Sequence, residues 1–211
     1  MAAASPPSSP LDRVAPFVLY PDFLPTDEHR ALLDWTLEQE TAFRVSRLVG
    51  GTVRTTIRSS QRLPVDVPGP WKASFEARAR ALVPTMIEAL AVQPFVIDMI
   101  ELNVVRHNHG DFYRRHIDTA IRNENRRTRT ISAVYYFHTE PQGFAGGALR
   151  LHAFARGEGC AFTDIAPRQN QLVAFPSWAP HEVMPITCPS GRFVDSRFSI
   201  NCWIHRPVPA Q

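Results

Sequence analysis

His116-Ile117-Asp118, followed much later by His181 and Arg197, are the residues of this 211-residue chain whose types and spacing could do chemistry. Two imidazoles and one carboxylate can fill three positions on one side of an octahedral ion and leave three open, the donor set suited to non-haem Fe(II). The single residue between His116 and Asp118 matters. Side chains two apart on a strand point the same way and can grip one ion. His181 must then come from a strand distant in sequence but adjacent in space. Arg197 offers a planar fork of donors suited to a carboxylate.

These residues sit in an ordered series of blocks. DFYRRHID (111–118) is followed by RTISAVYYFH (129–138), GGALRLH (146–152), FTDIAP (162–167), QLVAFP (171–176), HEVMP (181–185) and RFSINCW (197–203). In that order, over roughly residues 98–206, the chain resembles the catalytic domain of the prolyl-4-hydroxylase-like Fe(II)/2-oxoglutarate oxygenases. The resemblance implies His116, Asp118 and His181 as metal ligands and catalytic residues. It implies Arg197 as the partner of the distal carboxylate of 2-oxoglutarate, and Tyr136 as a second hydrogen-bond donor there. Arg192 is a rival whose spacing after His181 is nearer the family's. Arg197 is preferred because RFSINCW matches the family's strand and has the right parity. Asn201 and Trp203 are candidates to line the same pocket. Arg106 stands where relatives place a pocket tyrosine, and contact with the co-substrate, contact with an acidic substrate and a place at the cavity rim all remain open. Gly146-Gly147 reads either as the family's tight turn into a strand or as a bare turn.

The implied activity is hydroxylation of a C–H bond of a prolyl residue, a peptide or a small amino-acid-like substrate, with release of succinate and CO2. A carboxylate at Asp118 favours hydroxylation over halogenation, which needs a small residue there. The implied cofactors are Fe(II), 2-oxoglutarate as co-substrate and O2, with ascorbate as an optional addition. Two alternatives stand beside this: a nucleic-acid dealkylase of the same chemistry, suggested by the Arg192/Arg197 pair and basic loops, and a non-catalytic jelly-roll binding module. The segments 42–62 and 119–128 are polar and Arg-rich. They are expected to border the cavity mouth and to select a substrate bearing negative charge, with Arg126 and Arg127 contributing and Arg106 deeper at the rim.

The rest of the chain must position these groups. A hydrophobic fraction of 44% and a charged fraction of 20% describe an ordinary soluble globular composition. The net charge of +3 permits an acidic partner without demanding one. Three widely spaced cysteines, Cys160, Cys188 and Cys202, argue against a disulfide framework and for a reducing compartment. No stretch nears the ~18 apolar residues of a membrane span, and MAAASPPSSP lacks the regions of a secretory signal. A cytoplasmic location is expected.

Residues 1–12 read as a disordered Ala/Ser/Pro tail, 13–97 as a mixed helical support and 98–206 as the oxygenase core. A helix is expected from Pro25 to about Glu40, with Thr26 as N-cap and Leu32, Leu33, Trp35 and Leu37 on its buried face. A second runs from Trp71 toward Leu90, with Phe75, Leu82, Met86 and Leu90 on one stripe and Pro84 kinking or splitting it. From residue 95 the pattern turns to short strands. Together these predict an α+β protein with a double-stranded β-helix (jelly-roll, cupin-like) core and N-terminal helices packed on the larger sheet. In the last strand Arg197, Ser199, Asn201 and Trp203 should face the cavity, and Phe198, Ile200, Cys202 and Ile204 the helices.

Overall fold

The computed structural model describes residues 9–46, 52–119, 127–155 and 160–208. In chain order its strands are β1 (Val18–Tyr20), β2 (Arg44–Val45), β3 (Arg58–Ser59), β4 (Gln61–Arg62), β5 (Met99–His107), β6 (Phe112–His116) and β7 (Arg127–Phe137). They continue as β8 (Ala145–Gly146), β9 (Leu149–His152), β10 (Phe162–Ile165), β11 (Gln171–Pro176), β12 (His181–Val183), β13 (Ile186–Thr187) and β14 (Arg197–Pro207). Helices α1 (Thr26–Glu38) and α2 (Lys72–Ala89) precede β5.

The strands form a seven-stranded sheet in the order β1-β11-β7-β14-β5-β4-β2 and a five-stranded sheet in the order β10-β9-β12-β6-β3. Neighbouring strands pair antiparallel throughout. The two sheets pack face to face as the expected jelly roll, with a cavity between them. Parity works as read from the sequence. In β14, Phe198, Ile200, Cys202 and Ile204 join α1 and α2 in the larger core, whereas Arg197, Ser199, Asn201 and Trp203 line a cavity between the sheets. In β7, Ile131, Tyr135 and Phe137 face the helices, and Ser132, Val134 and Tyr136 face the cavity. A second core of Leu149, Leu151, Val173 and Phe175 closes the sandwich beside that cavity.

Local details depart from expectation. Thr26 is the first helical residue rather than the cap; Pro25 holds the cap position without a side-chain hydrogen bond. Pro's fixed φ suits the start of a helix, and Asp27 and Glu28 still meet its positive end. Thr36, not an apolar residue, is fully buried beside Leu32, because its hydroxyl donates to the Leu32 carbonyl at 2.8 Å. Helix α2 runs unbroken through Pro84. Pro84 and Arg80 both lie on the exposed face, so water can satisfy the carbonyl that Pro84 frees. The buried stripe of α2 is Phe75, Ala79, Val83 and Met86, and Leu82 sits at its margin. The tail ends before residue 12: Ser9 caps a 3-10 turn at Pro10–Asp12, and residues 1–8 lie outside the described residues.

Phe75 ties the helical layer to the sheet, with ring centroids 5.0 Å from Phe23 and 5.5 Å from Tyr135. Phe75→Ala removes this joint, and the expected loss of unfolding free energy in urea is about 3–5 kcal/mol. A loss below about 1 kcal/mol would mean that the helices do not depend on it.

Candidate active site

β6 and β12 lie side by side in the five-stranded sheet, and their register places His116 directly opposite His181. The two imidazole centroids are 4.2 Å apart. Asp118 falls just beyond the end of β6, where its backbone N–H donates to the Ser177 carbonyl at 2.9 Å. Its carboxylate crosses to the other sheet. Oδ2 accepts from Ser132 Oγ at 2.7 Å and from Trp203 Nε1 at 2.8 Å. Asp118 therefore depends on both sheets for its position.

The tautomers of both histidines follow from their partners. His116 Nδ1 lies 2.8 Å from the Arg114 carbonyl and His181 Nδ1 lies 2.9 Å from the Ala179 carbonyl. A carbonyl only accepts, so each Nδ1 carries a proton and Nε2 is the nitrogen left to face Asp118. His116 Nε2 is 3.7 Å from Asp118 Oδ1, and His181 Nε2 is 3.6 Å from Asp118 Oδ2, both too long for hydrogen bonds. Burial keeps the His116 imidazole neutral, with its pKa pushed down to about 3. Burial opposes ionisation of Asp118, but the neighbouring imidazoles and its two hydrogen bonds overcome that and hold its pKa below the ordinary carboxylate value. Two imidazole nitrogens and a carboxylate oxygen thus lie within 4.8 Å of one another. The donor set fits a divalent metal, and these three residues could hold one.

The same cavity, about 340 Å³, contains a buried cation. Arg197 is 1% exposed and pairs with no carboxylate among the described residues. Its guanidinium lies 4.7 Å from the centre of the Tyr136 ring and 3.2 Å from His107 Nδ1. Arg is always protonated, so His107 Nδ1 accepts and its proton sits on Nε2. Burial, with the Arg197 charge added, holds the His107 pKa well below its ordinary value. Arg197 Nε, His107 Nε2, Tyr136 Oη and Ser199 Oγ are all buried without a hydrogen-bond partner. All four are donors around one buried positive charge, and a carboxylate, which only accepts, is their complement. Gly147, at φ +69°, makes room: a Cβ there would stand 2.9 Å from Arg197 Cδ and 2.7 Å from Ile186 Cγ1.

Arg192 is elsewhere. It is exposed and forked onto Asp195 at 2.8 and 3.0 Å. Arg106 needs a correction, because it lies on the opposite face of β5 from the cavity. Its Nε donates to Ser196 Oγ at 2.8 Å, its NH1 donates to Gln61 Oε1 at 2.6 Å, and it covers the Phe193 ring. Strand parity is the reason: Asn103, Val105 and His107 face the cavity, so Arg106 cannot. His107, given no role from the sequence, holds the pocket position instead. The alternation of Ile100, Leu102 and Val104 with polar neighbours carried that signal. Ser132 and Trp203, which fix Asp118, left none beyond their parity.

Residues 102–205 match the family model described as the 2OG-Fe(II) oxygenase superfamily. Over that stretch the chain is similar to that superfamily. It is 36% identical over 154 residues to an uncharacterized PKHD-type hydroxylase of Synechocystis sp., covering 71% of this chain and 48% of that protein. It is 25% identical over 150 residues to a PKHD-type hydroxylase of Acinetobacter baumannii, covering 67% and 60%. The chain thus spans about half to three-fifths of the length of the curated relatives it matches. A Pseudomonas putida prolyl-4-hydroxylase structure superimposes with a TM-score of 0.67 at 28% identity, covering 91% of this chain and 94% of that one. A Trichoplax adhaerens prolyl hydroxylase, solved with a hypoxia inducible factor peptide fragment, superimposes with a TM-score of 0.67 at 23% identity and shows the shared fold.

A charge network flanks the cavity. Glu101 accepts from Arg129 at 2.9 Å and pairs with His205 at 3.1 Å. Burial alone would push the Glu101 carboxyl up, but the His205 and Arg129 interactions win and hold it at about 2. A carboxyl depressed in the folded state contributes stability above its unfolded value, near 4.5, and that contribution is lost as pH falls through about 2. Glu101→Gln is therefore expected to destabilise the protein at pH 6. The gap from wild type, measured by urea unfolding, should narrow steadily between pH 4.5 and 2.

Proposed function

We propose that this protein is an Fe(II)- and 2-oxoglutarate-dependent hydroxylase that oxidises a C–H bond of a prolyl residue, a peptide or a small amino-acid-like substrate. The observation that carries the reading is the pairing, in one cavity, of a lone-pair triad with a buried guanidinium that lacks a counter-ion. His116, Asp118 and His181 would hold the metal. Arg197 would hold the distal carboxylate of 2-oxoglutarate, with Tyr136, Ser199 and His107 adding hydrogen bonds. Fe(II) bound there with 2-oxoglutarate would activate O2 for attack on a C–H bond, giving the hydroxylated product, succinate and CO2. The chain's own residues orient the co-substrate, keep both imidazoles in the metal-binding tautomer and exclude bulk water from a cavity walled by two sheets.

A prolyl or peptide substrate is supported by the likeness to the Pseudomonas putida prolyl-4-hydroxylase at 28% identity. Nucleic-acid dealkylation loses its motif, because Arg192 is exposed and bound to Asp195 and does not share a site with Arg197. Ascorbate and a cytoplasmic location remain parts of the proposal. The three cysteines are free, and no helix among the described residues is long and apolar enough to cross a membrane.

Succinate formation from 2-oxoglutarate under air, with Fe(II) supplied, tests the activity. His116→Ala and Asp118→Ala should abolish it while circular dichroism stays native. Arg197→Ala should weaken 2-oxoglutarate binding by about 2–5 kcal/mol, and Arg192→Ala should leave it essentially unchanged. Normal succinate output from either metal-ligand variant, or a larger binding defect at Arg192, would reject the assignment.

A further inference from the structure

After the proposed co-substrate and metal sites take Arg197 and Asp118, and Glu101 neutralises Arg129, the cavity keeps two cations, Arg58 and Arg62. Neither has a carboxylate partner among the described residues. Their placement follows from the chain path. β3 is the edge strand of the five-stranded sheet, β4 belongs to the seven-stranded sheet, and Ser60 alone joins them. Arg58 pairs in register with Tyr113, and Arg62 with Val105; both partners line the cavity. The two arginines therefore face each other from opposite walls where the sheets meet.

Local contacts hold Arg58 in place. Its Nε donates to Ser60 Oγ at 2.8 Å, and its guanidinium stacks 4.8 Å from the Tyr113 ring centre. Tyr113 stacks in turn on His116 at 3.6 Å, so one aromatic ring separates this cation from a proposed metal ligand. Burial and the nearby Arg62 charge both act against the Arg58 charge, while Tyr113 and Asp118 offset part of this. Two half-buried guanidiniums that repel each other across an open cavity form a grip for an oxyanion. We infer that Arg58 and Arg62 bind a carboxylate of the substrate itself, distinct from the co-substrate carboxylate at Arg197. The inference rests on the oxygenase reading and narrows it to anionic substrates: a free amino-acid-like acid, or a peptide with an acidic residue beside the oxidised one. A carboxylate held at this pair leaves the carbons a few bonds away beside His116, where oxidation would occur.

The test uses protein loaded with Mn(II) and saturated with 2-oxoglutarate, so that the Arg197 site is filled. Two matched probe pairs are titrated calorimetrically: N-acetyl-L-proline against its amide, and acetyl-Ala-Pro-Asp-amide against the same peptide with Asn. At least one acid should bind roughly tenfold or more tightly than its neutral twin. Arg62→Gln, on the half-exposed wall, should reduce that preference to within about twofold. Arg58→Gln should do the same if circular dichroism shows it folded. Preference in the proline pair identifies a small acid, and preference in the peptide pair an acidic peptide. Equal binding of acid and neutral twin, no binding of either acid, or a preference that survives Arg62→Gln overturns the inference. Failure of 2-oxoglutarate to bind in the loading step would instead overturn the oxygenase reading.

Discussion

A carboxylate and a guanidinium held away from water inside one cavity, with neither neutralising the other, is the constraint on which the site depends. Burying an ion without a counter-charge is expensive, and proteins rarely do it without a ligand in view. Asp118, its side chain 9% exposed, accepts two hydrogen bonds and stands 3.7 and 3.6 Å from the Nε2 atoms of His116 and His181. Arg197 is packed against a tyrosine ring and a neutral histidine. Each end asks for an outside partner of opposite sign. A divalent cation answers the first and a dicarboxylic acid reaching from it answers the second.

The jelly roll supplies the rigidity this demands. The imidazoles come from adjacent strands of the five-stranded sheet, whereas the groups that lock Asp118 come from β7 and β14 of the facing sheet. Any slip between the sheets would pull the carboxylate from the imidazoles. The helices are remote from the cavity, yet they cover the far face of β5, β7 and β14, whose near faces build the pocket. A residue of apolar parity in these strands thus secures the polar residue beside it. Cys202, Ile200 and Phe198 anchor the strand that presents Arg197, Ser199, Asn201 and Trp203.

Much of this was legible from residue order. Alternation in β14 and β7 sorted Arg197 and Tyr136 toward one cavity, and the His116–Asp118 spacing with a distant His181 pointed to the corner where these three side chains converge. The misreadings have physical causes. Arg106 was placed by block similarity, and one step of strand parity separates it from His107. Arg58 and Arg62, in the 42–62 segment expected at the cavity mouth, do line the cavity; that these two residues reach it follows from the change of sheet at Ser60, which no local pattern encodes. Arg127, expected with Arg126 in an Arg-rich segment at the cavity mouth, belongs to β7 and is ion-paired with Asp98, and Arg126 lies outside the described residues. Positive charge does face the cavity, but from the 42–62 segment and β7. Pro84 misled because helix propensity ignores which face is wet.

If the two ends of the cavity serve one reaction, they must be coupled thermodynamically, since each ligand makes the other's binding more favourable. Calorimetric titration of 2-oxoglutarate into metal-free and Mn(II)-loaded wild-type protein measures that coupling directly. One site per chain, with affinity at least about tenfold higher in the loaded protein, is the predicted result. Equal affinity with and without metal, or no binding under either condition, would contradict the claim that the triad and Arg197 form a single centre.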